Sequence, residues 1–179
     1  MAQVLVFLFL ALPLWAEFAV TSWDKLHFQD VTKQSFEESC GASALATLLN
    51  LDGNSFDEEK LLGELNTTDV VSLYALETLA SKLDYQAKSY KIDEKILKDL
   101  KYPVIARVAR DKVYPHFVVI EVLKEDILML DPNHGKYLVS MNDFLKIWTK
   151  YIMIVAPKGE FKDIKTLNIK DFSYLLDLQ

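Results

Sequence analysis

Cys40 is the sole cysteine of the chain, and the Ser39-Cys40-Gly41 step followed by ASALATLLN puts it in the first turn of a helix. A single cysteine forms neither an intramolecular disulfide nor a Cys-x-x-Cys zinc site. It is either an inert small hydrophobe or a reactive thiol. The unsatisfied amides and positive dipole end of a helix N-terminus favour the thiolate, so this setting points to reactivity. Nucleophilic chemistry through a thiolate also needs a base, a group that orients the base, and donors aimed at a developing oxyanion.

The sequence offers a residue for each part. His116 opens the strand-like run HFVVIEVL just after Tyr114-Pro115, and Asp131 closes DILMLD just before Pro132. A tight turn at Lys124-Glu125 pairs Leu123 with Asp126 and sets Asp131 opposite Val118. His116 and Asp131 are then diagonal neighbours on one face, with Cβ atoms about 7–8 Å apart, within side-chain reach. A slip of one residue would place them on opposite faces. Taken singly, His116 also suits a strand end satisfied by solvent, and Asp131 the opening of an Asp-Pro-Asn turn. His27, ahead of the helix, and His134, in an Asn-His-Gly turn, are weaker candidates, because neither ends a strand. Gln34, six residues ahead of Cys40, carries a side-chain amide that could join the Cys40 backbone N–H as an oxyanion donor; the alternative is a surface glutamine.

The elements that must position these groups follow from periodicity. Ala42, Leu45, Leu48 and Leu49 recur at helical spacing, and Leu51-Asp52-Gly53-Asn54 ends that helix in a turn. Ser55-Phe56-Asp57-Glu58 reads as a capping box opening a second helix through Leu65. A third helix follows Ser72, with Leu73, Leu76, Ala80 and Leu83 on its apolar face. From Tyr85 the texture changes to YQAKSYKI, PVIARVA, HFVVIEVL, DILMLD, KYLVS and TKYIMIVAP, which read as an antiparallel sheet. DEKILKDL and the Ser140-capped MNDFLKIW interpose short helices. Helices first and sheet second is an α+β order.

About half the residues are hydrophobic, the net charge is −6 and no basic stripe is present, which argues for one globular domain and against a nucleic-acid partner. Residues 1–19 open with the apolar MAQVLVFLFLALPLWA and reach the small Ala16 and Ala19, the pattern of a signal peptide, although without a basic start. The alternatives are an N-terminal anchor or a buried first helix. A signal peptide or an anchor places the domain, residues 20–157, outside the cytoplasm, with a periplasmic location expected. Residues 158–179 alternate charges with Phe161, Ile164, Leu167, Phe172, Leu175 and Leu176 and read as an appended amphipathic tail.

Gln34, Ser39-Cys40-Gly41 with its Ala-rich helix, His116-Phe117-Val118-Val119, then Asp131-Pro132 with Gly135, Phe144 and Trp148 together resemble the bacteriocin-processing peptidase family. Those are papain-like cysteine peptidases that cleave double-glycine leader peptides, usually as the N-terminal domain of an ABC exporter. The resemblance spans roughly Phe28 to Pro157. It implies a papain-like α+β fold with Cys40 as nucleophile, His116 as base, Asp131 as orienting carboxylate and Gln34 as oxyanion donor, with no cofactor. Ser39 departs from the family's usual Asp before the nucleophile. The chain shows no transmembrane or ATPase segments, so the resemblance is to a stand-alone exported homologue. Its implied partner is a polypeptide substrate, such as a secreted or functional-amyloid protein, together with its export machinery. A catalytically idle peptide-binding module of an export system and an acyl transferase using the same groups are the competing readings.

Overall fold

In helix α2 (Cys40–Leu51) every residue from Cys40 to Leu49 is buried, the polar Ser43 and Thr47 included. A helix of that kind belongs at the centre of a fold. In the computed structural model, which describes residues 22–66, 71–109 and 115–158, α2 lies against a six-stranded antiparallel sheet. Before it come α1 (Trp23–His27) and a 3-10 turn at Glu37–Ser39; after it come α3 (Glu58–Leu65) and α4 (Leu73–Lys82). The remainder is β1 (Tyr85–Lys91), α5 (Glu94–Lys98), β2 (Val104–Val108), β3 (His116–Leu123), β4 (Asp126–Asp131), β5 (Gly135–Ser140), α6 (Met141–Ile147) and β6 (Trp148–Pro157). The spatial order is β1-β6-β2-β3-β4-β5.

Alternation along the strands splits the core in two. Ile105, Phe117, Val119, Leu130 and Met153 face α2 and α4, whereas Ala106, Val118, Ile120, Met129 and Ile152 face α5 and α6. One sheet therefore carries a buried layer on each side, which is why HFVVI and DILML read as nearly continuous hydrophobic runs. The helices announced by Ser72 and Ser140 begin where those residues cap them. The second helix differs from its expected start. Asp57, not Ser55, is its N-cap and accepts from Lys60 N at 2.8 Å. Glu58 is thereby released from a local capping role and turns into the interior. Helix α1 lies ahead of the first helix expected from periodicity, the one that carries Cys40. The proposed signal segment at 1–19 and nearly all of the tail at 158–179 lie outside the described residues.

Gly41 is where α2 comes nearest its neighbours. A Cβ at this position would run into Val71 Cγ2 and sit 3.3 Å from both Leu76 Cδ1 and Phe117 Cδ2. Gly41→Ala should thus destabilise the fold: overpacking of this kind costs about 1–3 kcal/mol, against a helix-propensity gain of about 1 kcal/mol. A lowered urea midpoint is the expected result, and an unchanged or raised one would show that α2 has room to shift.

Candidate active site

The β3–β4 hairpin has the register that the Lys124-Glu125 turn requires. Leu123 pairs with Asp126 and the ladder runs to Val119 with Leu130, which brings the side chains of His116 and Asp131 together across the open end of the hairpin. His116 Nε2 lies 2.8 Å from Asp131 Oδ1. Cys40 lies close enough to the same ring to raise its pKa, and since Nε2 is held by Asp131, Nδ1 is the nitrogen left for the sulfur. Cys40 is 4% exposed. Three of the four residues singled out from sequence thus form one line, Asp131 to His116 to Cys40.

Asp131 is the fixed point of that line. Its side chain is fully buried, and Oδ1 also accepts from Asn133 N at 2.9 Å and His134 N at 3.3 Å. Oδ2 takes Tyr137 OH at 3.3 Å and faces His134 Nδ1 at 3.2 Å. Burial pushes the carboxyl pKa up, but the hydrogen bond and charge of His116 and the Asn133 amide overcome it and hold the pKa down at about 2. For His116 burial pulls the pKa down, and the bond to Asp131 together with Cys40 raises it to about 9. At neutral pH this geometry carries a carboxylate and an imidazolium beside the sulfur.

The N-terminus of α2 differs from those of α1, α3, α4, α5 and α6, each of which is capped by the side chain of a Ser or Asp. The Ser39 side chain does not cap α2. Its hydroxyl turns back, donating to Phe36 O at 2.7 Å and accepting from Phe36 N at 3.2 Å. The first-turn amides of α2 are therefore left without a side-chain cap beside Cys40, where a developing oxyanion would lie.

The Gln34 amide, expected either as an oxyanion donor or as a surface group, is engaged by its own loop. Its Nε2 donates to Phe36 O at 2.9 Å and Glu37 O at 3.3 Å, while Oε1 is buried without a hydrogen-bond partner. Its backbone N–H donates to Pro132 O at 2.9 Å, which ties this loop to the turn that carries Asp131. His27 stacks on Trp23, with ring centroids 5.5 Å apart, and crowds Gly135, whose φ of +79° suits glycine. His134 is the residue whose place sequence reasoning undervalued. The Asp-Pro-Asn-His turn brings its ring back onto the carboxylate three residues earlier, a signal present in the turn chemistry. Among the described residues no cluster of His, Cys, Asp and Glu could hold a metal ion.

Comparison with known proteins gives a consistent set of likenesses. A family model described as the Peptidase C39 family matches residues 29–160. The lactococcin-G-processing and transport ATP-binding protein LagD of Lactococcus lactis is 31% identical over 134 residues, covering 72% of this chain and 19% of that protein. The probable functional amyloid protease FapD of Pseudomonas aeruginosa is 28% identical over 150 residues, covering 78% of this chain and 66% of that protein. The chain thus spans about a fifth of the transport protein and about two thirds of the shorter relative. Among solved structures, the peptidase domain of Streptococcus ComA superposes with a TM-score of 0.66 at 23% identity, covering 72% of this chain and 98% of that one. A double glycine motif protease from an AMS/PCAT transporter, solved with its leader peptide, gives 0.64 at 24% identity, covering 72% and 91%.

Proposed function

The chain belongs to the Peptidase C39 family of cysteine peptidases, and on that premise we propose that it is an endopeptidase that cuts a secreted or exported polypeptide after a Gly-Gly pair. The observation that carries the reading is the continuous line from Asp131 through His116 to Cys40 at an N-terminus without a side-chain cap. The Cys40 thiolate attacks the scissile carbonyl. The α2 amides and the Gln34 amide stabilise the oxyanion, the longer Gln34 bond to Glu37 O being the one exchanged for it. His116, protonated and held by Asp131, gives its proton to the leaving amine, and it then activates the water that releases the acyl group.

Two features support the substrate. With Cys40 only 4% exposed, a chain lacking side chains at its last two positions makes the closest approach to the sulfur. The named roles of the relatives, lactococcin-G processing and transport, a probable functional amyloid protease and a double glycine motif protease, fit an exported polypeptide and its export machinery as partners. The apolar start of the sequence supports an extracytoplasmic, periplasmic setting.

Incubation of the protein with a peptide library, followed by sequencing of the products, tests the specificity. Cleavage after Gly-Gly is expected. Efficient cutting after bulky or charged residues, with Gly-Gly peptides left whole, would refute it.

A further inference from the structure

Glu58 is a charged side chain that the reaction does not use, yet it is only 6% exposed. A carboxylate is rarely buried unless it is paired or hydrogen-bonded. Here both oxygens accept from the Ser35 backbone N–H at 2.9 Å, and Oε1 also accepts from Ser43 Oγ at 3.1 Å. Burial raises its pKa, and the polar groups of Ser39, Ser35 and Ser43 around it more than reverse that, so the group is held ionised.

Its partners mark out the structure next to the nucleophile. Ser43 is one turn along α2 from Cys40, and Ser35 directly follows Gln34. The peptide units on the two sides of Gln34 are thus each anchored: Gln34 N–H to Pro132 O, and Ser35 N–H to Glu58. Thr32 N–H adds a third tie, to Thr47 Oγ1 at 2.9 Å. With its backbone pinned on both sides, Gln34 has its side-chain direction set by the loop, and the Glu58 tether comes from α3 and not from the loop itself.

We propose that Glu58 is a positioning residue for the oxyanion side of the site, acting through Ser35 to fix the Gln34 amide relative to Cys40. The inference rests on the reading of Gln34 as an oxyanion donor and not on the Gly-Gly specificity. Cys40 and His116 are held by α2 and the β3–β4 hairpin, so loss of Glu58 leaves their pairing in place.

Two reagents separate these halves of the site. Iodoacetamide alkylates the Cys40 sulfur with release of iodide and passes through no oxyanion. p-Nitrophenyl acetate transfers its acetyl group to the same sulfur through a tetrahedral oxyanion and releases p-nitrophenolate, and it needs no peptide specificity. In the full chain, Glu58→Ala and Gln34→Ala should each slow acetylation by about 10²-fold, the range for loss of one oxyanion donor, with alkylation unchanged. The double variant should be no slower than either single one, because both changes remove the same interaction. Glu58→Gln, which keeps one acceptor for Ser35 N–H and most of the packing, should recover much of the acetylation rate; it carries the comparison if Glu58→Ala does not fold. Equal losses in both reactions, independent additive losses in the double variant, or wild-type acetylation in folded Glu58→Ala would overturn the proposal. If Gly-Gly peptides stay intact while the acetylation pattern holds, the specificity fails and the role of Glu58 stands.

Discussion

Cys40→Ala should yield a folded protein without peptidase turnover. In the proposed mechanism the sulfur is the atom that forms the acyl intermediate, and the sequence holds no other thiol to replace it. Removing a nucleophile of this kind lowers kcat by about 10⁶-fold, down to whatever the oxyanion donors and binding alone provide. The structural consequence is small by comparison. The side chain is buried at the end of a helix, so its loss leaves a gap of one sulfur, while alanine is the better helix former. Circular dichroism and the urea midpoint should stay close to wild type while product formation vanishes. Cleavage at the wild-type rate by Cys40→Ala would end the thiol mechanism.

Asp131→Asn should lower kcat by about 10²–10⁴-fold and change its pH dependence, because an amide at this position cannot hold the imidazolium as a carboxylate does. His116 is charged below about pH 9 in the native enzyme, so kcat/KM should fall as pH rises through about 9. Without the Asp131 charge, burial works against the charged ring and the alkaline limb moves to lower pH. Stability follows the same pair. Asp131, with its pKa depressed from 3.8 to about 2, stabilises the fold above 3.8 and loses that contribution as pH falls through about 2. His116, raised from 6.5 to about 9, contributes fully below 6.5 and loses its contribution as pH rises through about 9. The Tm gap between wild type and Asp131→Asn should therefore be widest between pH 3.8 and 6.5 and narrow toward pH 9. An alkaline limb that stays in place in the variant would show that Asp131 does not set the charge state of His116.

Much of this site could be read from the chain because its parts sit at element ends marked by strong local signals. The two-residue turn at Lys124-Glu125 fixes the hairpin register, and that register alone decides whether His116 and Asp131 share a face. Ser72 and Ser140 announce their helices by the hydroxyls that cap them. What stayed hidden depends on contacts between distant segments. Ser55 and Glu58 have the spacing of a capping box, but Asp57 takes the cap and Glu58 is drawn to Ser35 and Ser43, partners that no local pattern reveals. Likewise, nothing within the loop foretells that the Gln34 amide bonds to the carbonyls of Phe36 and Glu37, or that its backbone bonds to Pro132. The placement of β6 between β1 and β2 is also set by pairing across the whole sheet and not by the strand's own sequence.

The division of the site between a hairpin and a helix has a consequence for how activity arises as the chain folds. His116 and Asp131 belong to adjacent strands joined by a tight turn, so they meet by local closure, an event of about 1–10 μs. The Cys40 helix and the Gln34 loop come from the opposite end of the sequence and reach the hairpin only when α2 docks on β3, a contact of long loop closure and correspondingly slow formation. The base and its carboxylate can thus be assembled well before the nucleophile arrives. A chain in which α2 is undocked carries its thiol apart from the histidine, so the proposed proteolytic competence depends on that long-range docking.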